Sequence, residues 1–178
     1  MVSKKMLEAL NEQINAEIYS SYLYLAMAAY FDSLTLKGHA NWMRVQAQEE
    51  LVHAVRFYTY INDRNGRVTL KAIACPPAKW DSPCAVFEAT YEHEQKVTAR
   101  INKLAALAAQ EKDPVTGNFL LWFLTEQVEE EANAKGTADK LRMVGDKGPG
   151  LFMVDQELAT RVFVMPPAGG AAPAAAAP

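Results

Sequence analysis

Cysteine is scarce in this sequence, with only Cys75 and Cys84 among 178 residues. Both fall in a proline-containing stretch, too few and too loosely spaced for a zinc site or a disulfide framework, so reduced, incidental thiols are expected. No run of about 18 apolar residues occurs, which speaks against a membrane-spanning helix. The opening Met1-Val2-Ser3-Lys4-Lys5 leads straight into charged amphipathic sequence, and the expectation is a cytoplasmic protein with no membrane partner. Basic residues are not in surplus either. A formal net charge of -3 leaves no positive field to hold nucleic acid by counterion release, whereas small cations suit such a chain. Strand-like alternation of apolar and polar residues is also missing.

What is present is helical spacing. Half of the residues are hydrophobic, enough for a sizeable core in one domain. The pattern predicts a first helix from about Ser3, an N-cap, to Phe31 and a second from about Gly38 to Asn65, joined by the short turn 32–37. A third opens at Ser82-Pro83 and a fourth at Asp113-Pro114, each an N-cap followed by proline at the first helical position. Between the two hairpins lie residues Gly66 to Asp81, including Pro76 and Pro77, with no amphipathic period. Extended at about 3.3 Å per residue this stretch reaches roughly 50 Å, against about 40 Å for a helix of about 27 residues. It can therefore cross the whole length of a bundle. After Gly148-Pro149-Gly150, a short fifth helix is expected over 151–162, with Leu151, Val154, Leu158 and Val162 on one face. The fold class is thus all-α, a four-helix bundle with one long crossover between helices two and three plus a short C-terminal fifth helix. The domain is placed at 1–162, and 163–178, rich in proline and alanine, reads as a flexible tail.

Each helix presents a core stripe in steps of three and four. In the first it runs Leu10, Ile14, Glu17, Ser21, Tyr24, Ala28, Phe31, and in the second Met43, Ala47, Glu50, Ala54, Phe57, Ile61. In the third it runs Phe87, Tyr91, Glu94, Thr98, Ile101, Ala105, Ala108, and in the fourth Leu120, Phe123, Gln127, Glu130, Ala134, Thr137, Leu141. A carboxylate or amide interrupts every stripe near its middle, and antiparallel helices of similar length bring these heights together. His53, one turn after Glu50, adds an imidazole to the same face. Taken singly, a mid-stripe glutamate is more often a solvated boundary residue or half of an ion pair. Four interruptions at one height differ, because carboxylates buried together cost several kcal/mol per ion unless protons or a cation compensate them. A metal pair supplies that compensation, and oxygen ligands with an imidazole suit iron or manganese better than structural zinc. Tyr24 is either a packed core tyrosine or a phenol that serves a ligand carboxylate by a hydrogen bond or an electron. His39 and His93 converge on nothing by spacing and are read as surface residues.

Gln48-Glu49-Glu50-Leu51-Val52-His53 and Glu126-Gln127-Val128-Glu129-Glu130, preceded by Asn11-Glu12-Gln13-Ile14-Asn15-Ala16-Glu17, resemble the ferroxidase centre of ferritins in its prokaryotic, non-haem form. The resemblance runs from about Lys4 to Thr160 and covers motifs and loop lengths alike. Ferritin-like bundles are also the standing example of one long crossover and of a Glu-x-x-His motif on two helices. Here the second copy reads Gln127-Val128-Glu129-Glu130, without histidine, which implies unequal metal positions and counts against bacterioferritins and rubrerythrin-like proteins.

The resemblance implies one iron on Glu17, Glu50 and His53 and a second on Glu50, as bridge, with Glu94. Gln127 would line the dioxygen side, and Glu130 would approach the second iron or an adjoining third. Glu49, Glu126 and Glu129 would build that third iron site near the inner surface of a shell, while Glu131 receives no role. The implied activity is that of a ferroxidase, an Fe(II):oxygen oxidoreductase using O₂ or hydrogen peroxide. The implied function is iron storage and detoxification, with ferric oxyhydroxide held in a homo-oligomeric shell of twenty-four subunits whose fifth helices pack about the four-fold axes. No haem is expected, since Val52 stands where a haem-binding methionine would. Asn118 and Leu121 stand where many ferritins place acidic residues at the three-fold channel, which makes that channel a poor cation path here. A di-iron oxygenase would need an apolar pocket and electron partners that nothing in the sequence marks. A twelve-subunit, DNA-protecting shell is disfavoured by the fifth helix and by ligands lying within one bundle.

Overall fold

The computed structural model describes residues 2–166. Among these the chain forms helices α1 Lys4–Ser33, α2 Lys37–Asp63, α3 Pro83–Gln110, α4 Pro114–Val144 and α5 Pro149–Leu158, and no strand. Three of the starts follow from capping chemistry. Ser3 Oγ accepts the Met6 N–H at 3.0 Å, Ser82 Oγ the Ala85 N–H at 3.1 Å, and an Asp113 carboxylate oxygen the Thr116 N–H at 3.1 Å. Each satisfies a first-turn amide that has no partner inside its helix. Pro83 and Pro114 occupy the first turn, where the absent N–H breaks no hydrogen bond.

α1 and α2 pair as one hairpin, α3 and α4 as the other. The crossover between them is fastened along α1. Asn11 donates to the Arg67 carbonyl at 3.2 Å and accepts the Thr69 N–H at 2.6 Å, and Asn15 donates to the Lys71 and Ala72 carbonyls at 3.3 and 3.2 Å. Lys71 pairs with Glu12, and at the far end Trp80 packs edge-on to Tyr30 with centroids 5.4 Å apart. The segment therefore traverses the bundle from the start of α1 to its end, as its length allows.

The interior falls into two apolar clusters. One, near α5, gathers Leu23, Tyr24, Met27, Phe31, Trp42, Met43, Phe87 and Leu141 with Leu151, Val154 and Leu158. The other, at the opposite end, gathers Met6, Leu10, Ile14, Phe57, Ile61, Ile101, Leu104, Leu120, Trp122 and Phe123. Buried polar residues of α1 to α4 separate them.

Several sequence-based expectations require correction. On α3 the buried line passes through Thr90, Val97 and Leu104, leaving Tyr91, Thr98 and Ala105 half-buried, because the steps of three and four fall in a different order. On α1 the fully buried serine is Ser20, with Ser21 at the margin. α5 starts at Pro149 and stops at Leu158, and Val162 is exposed beyond it. Asn41 ends it by donating to the carbonyls of Leu158 and Ala159 at 3.3 and 3.4 Å. His39 is not a surface residue but fully buried, its backbone N–H and Nδ1 lying 3.0 and 2.7 Å from Asp155 Oδ1 on α5. His93 is half-buried, with Nε2 2.7 Å from Ser20 Oγ. Cys75 and Cys84 are free thiols. Of the expected tail, 163–166 lack regular structure and 167–178 lie outside the described residues. Among the described residues no helix is long and apolar enough to cross a membrane.

α5 docks on α2 through a close backbone approach. A Cβ added to Gly38 would lie 1.6 Å from the Asp155 carbonyl oxygen, so only glycine fits. Gly38→Ala should lower stability by about 1–3 kcal/mol through the forced backbone shift. Gly136→Ala, where an added Cβ meets nothing, should raise it by up to about 1 kcal/mol. Chemical denaturation followed by helicity, at equal protein concentration, checks both.

Candidate metal centre

Each of the four long helices contributes to the layer between the clusters. Glu17 comes from α1, Glu50 and His53 from α2, Glu94 from α3, and Gln127 and Glu130 from α4, all buried. One ligand atom from each of Glu17, Glu50 and His53 lies within 4.8 Å of the others, and the same holds for His53, Glu126 and Glu130. His53 Nδ1 is 3.6 Å from Glu50 Oε2, too far for a hydrogen bond. Glu17 Oε2, Glu50 Oε2, His53 Nε2 and Glu126 Oε2 are buried without any hydrogen-bond partner among the described residues. Orphaned buried oxygens and nitrogen of this kind are satisfied by a shared proton or by a cation.

The other oxygens are held by neutral donors. Gln13 donates to Glu17 at 2.9 Å, and Gln46 donates to Glu130 at 2.7 Å and to Glu50 at 3.3 Å. Tyr24 donates to Glu94 Oε1, and Gln127 Nε2 reaches Glu94 Oε2 and Thr98 Oγ1, both at 3.2 Å. The Thr98 hydroxyl in turn donates a hydrogen bond to Glu131 Oε1 at 2.6 Å. The scaffold thus orients the carboxylates without neutralising them. Their acidities follow. Burial foremost, then the charges of Glu17 and Glu130, holds Glu50 well above the usual carboxylate range. Burial with Glu50 and Glu130 does the same to Glu94. Burial also raises Glu17, against the opposing pull of His53. Burial and the neighbouring Glu94 push the Tyr24 phenol well above its ordinary value, which keeps it a donor. Glu49, half-buried, is raised to about 7 by burial, partly offset by Arg161, and burial raises Glu126 as well.

The residues expected from the sequence separate into groups. Glu17, Glu50 and His53 converge, while Glu126 and Glu130 converge with His53. Glu94 belongs to the layer but to neither trio, being tethered between Tyr24 and Gln127. Glu49 is turned towards Arg161, and Glu129, half-buried, joins neither trio. Sequence reasoning missed Gln13 and Gln46, although each precedes a core glutamate by one turn, a repeated Gln-x-x-x-Glu that could have revealed them. It also missed the link from Gln127 through Thr98 to Glu131, which needs the register of α3 against α4.

Two helical hairpins joined by a full-length crossover, around a buried layer of carboxylates and one imidazole, define the class of carboxylate-centred four-helix bundles. The family model for the ferritin-like domain matches residues 7–144. The non-heme ferritin of Bacteroides fragilis (strain 638R) is 44% identical over 161 residues, 90% of this chain and 100% of the relative. An Archaeoglobus fulgidus ferritin engineered into a closed form is 56% identical with a TM-score of 0.91, covering 92% of this chain and 100% of that one. The open-pore ferritin of the same archaeon gives 0.90 at 56% identity, over 91% of this chain and 100% of its own. The chain belongs to the ferritin family.

Because the layer's glutamates bind protons more tightly folded than unfolded, stability of the metal-free protein should fall as pH rises through the unfolded value near 4.3 towards the raised folded ones. Glu50→Gln removes a carboxyl whose charged form burial penalises in the folded state but not in the unfolded one, and should stabilise the metal-free protein at pH 7 by about 1–3 kcal/mol. The gain should shrink at pH 5, where the parent carboxyls are more protonated. Denaturation of chelator-treated parent and variant at both pH values measures it.

Proposed function

We propose that this protein stores iron and oxidises Fe(II) at the buried layer, as a ferroxidase acting within a homo-oligomeric shell in the cytoplasm. The observation that carries this reading is the convergence of Glu17, Glu50 and His53 on one point with buried ligand atoms left unpartnered. Carboxylate oxygens with one imidazole nitrogen are a donor set for Fe(II), and thiolates are absent from the layer.

Glu17, Glu50 and His53 hold one Fe(II), and Glu50 bridges to a second held with Glu94. Tyr24 and Gln127 fix the Glu94 carboxylate from two sides, so its remaining lone pairs point consistently. Glu49, Glu126, Glu129 and Glu130 form a third position to which ferric product passes. Two Fe(II) ions each give one electron to O₂, which with two protons becomes hydrogen peroxide. Each Fe(III) then takes up two waters as oxyhydroxide and releases three protons. Peroxide as oxidant accepts two electrons in the same way and leaves as water. The weakened acidity of the buried carboxyls couples to cation binding: the glutamates hold protons more tightly than free carboxyls do, and cations that bind there compete with those protons. Two electron donors at one site avoid the single-electron reduction to superoxide, and holding both ions together is the usual contribution of a two-metal site. Iron storage in a shell of twenty-four subunits accords with the ferritin relatives, and α5, bolted to α2 through His39, Asp155 and Gly38, is the element that would line the four-fold axes.

Stopped-flow absorbance of metal-free protein given two Fe(II) per subunit in air tests the proposal. The parent should oxidise iron rapidly, and a Glu50→Ala/His53→Ala variant at least about tenfold more slowly, in keeping with the cost of losing metal-site residues. Equal slow oxidation by both would mean that the layer serves another purpose.

A further inference from the structure

The cluster of Glu49, Glu126 and Glu130 beside His53 has a resident cation of its own. Arg161, three residues beyond α5, ion-pairs with Glu49, and both side chains are only about one-fifth exposed, at 21% and 20%. Its guanidinium carbon sits 4.3 Å from the Trp42 ring centroid, and the same group donates to the Trp42 carbonyl at 3.4 Å. The backbone is fixed as well, because Asn41 donates to the Arg161 carbonyl at 2.9 Å. Arg56, over the Trp122 ring at 3.8 Å, lies close enough to Glu126 to oppose the rise that burial imposes on its carboxyl. The buried His53 Nε2 and Glu126 Oε2 nevertheless have no hydrogen-bond partner among the described residues, so the two arginines offset part of the charge of the three carboxylates without filling the cluster.

A guanidinium stacked on an indole and clamped to a carboxylate is weakly hydrated and held in one geometry. A hard multivalent cation that takes Glu49 must either displace Arg161 or sit beside it against direct repulsion. We propose that Arg161 is the counter-cation of an outer cation site built from Glu49, Glu126 and Glu130 beside His53, and that Fe(II) binds Glu49 there only by displacing it. This rests on the iron-handling reading above. Displacement removes the side-chain half of the tether between the chain after α5 and α2, leaving the Asn41 hydrogen bonds to hold the backbone alone, so filling of the outer site and docking of 159–166 oppose one another. The coupling is reciprocal: a docked segment weakens the site by the same factor by which the cation weakens docking. Arg161 is accordingly a positioning residue that sets the affinity of the outer site relative to the inner pair.

The test combines anaerobic calorimetry and hydrogen exchange on the assembled full chain, with Fe(II) as the probe. Arg161→Gln should tighten the weakest Fe(II) site by about five- to tenfold, the lower end of usual couplings between sites. The inner sites should keep their affinities, and Arg161→Lys should return the outer site towards the parent value. In the parent, Fe(II) beyond two per subunit should speed exchange over 159–166. In Arg161→Gln that segment should already exchange faster than in the parent and respond no further to iron. Normal inner sites with an outer site unmoved by Arg161→Gln would overturn this inference alone. Absence of Fe(II) binding at every site in both proteins would overturn the iron reading and this inference with it. If Arg161→Gln does not assemble, the parent's exchange decides, and an unchanged 159–166 segment on iron loading overturns the proposal.

Discussion

Mutual repulsion among carboxylates held out of water is the constraint around which this bundle is arranged. A core of this size could be apolar from end to end, and replacing buried ionic groups by well-packed hydrophobic ones is often stabilising. Instead the layer of Glu17, Glu50, Glu94 and Glu130 interrupts it at mid-height and divides the interior into two clusters. The donors that reach these carboxylates are neutral amides and a phenol, from Gln13, Gln46, Gln127 and Tyr24. Neutral donors fix orientation while leaving the charge to be met by protons or cations. That choice separates a metal-handling layer from a structural ion-pair network, in which arginine or lysine would occupy the same positions.

The topology serves the layer. Residues from four helices meet at one height only if all four span the same length, and the crossover's run along α1, fastened by Asn11 and Asn15, lets the second hairpin start level with the first. Stacking at each end supports the arrangement, with Phe57 on Phe123 and Trp42 edge-on to Phe87. α5 is tied to the start of α2 by His39 and Asp155, and Arg161 beyond it reaches Glu49. The C-terminal segment and the metal layer are therefore one connected structure.

Much of this was legible in the sequence because helical period, capping residues and proline positions act locally. Ser82-Pro83 and Asp113-Pro114 mark helix starts by their own chemistry, and Glu17, Glu50, Glu94, Gln127 and Glu130 declare themselves by being polar where the stripe demands an apolar residue. What stayed hidden depends on relative rotation and close approach. The switch from Thr98 to Val97 on the buried line of α3 follows from how α3 meets its neighbours, which no period within one helix records. The burial of His39 follows from a partner, Asp155, more than a hundred residues away, and from a glycine that admits α5's backbone. Gln13 and Gln46 were visible as letters, but their role as donors exists only once the carboxylates are seen to be buried. The pairing of Glu49 with Arg161 likewise belongs to the tertiary fold.

The central claim is that the layer is a di-metal site and not a set of carboxyls neutralised by protons. Crystals grown metal-free, soaked anaerobically with Fe(II) and measured at the iron absorption edge address it directly. The account predicts two anomalous peaks per subunit within the layer, one in ligand contact with Glu17, Glu50 and His53 and the other with Glu50 and Glu94. Iron confined to the surface, with the layer's carboxyl groups paired to one another through protons, would contradict it.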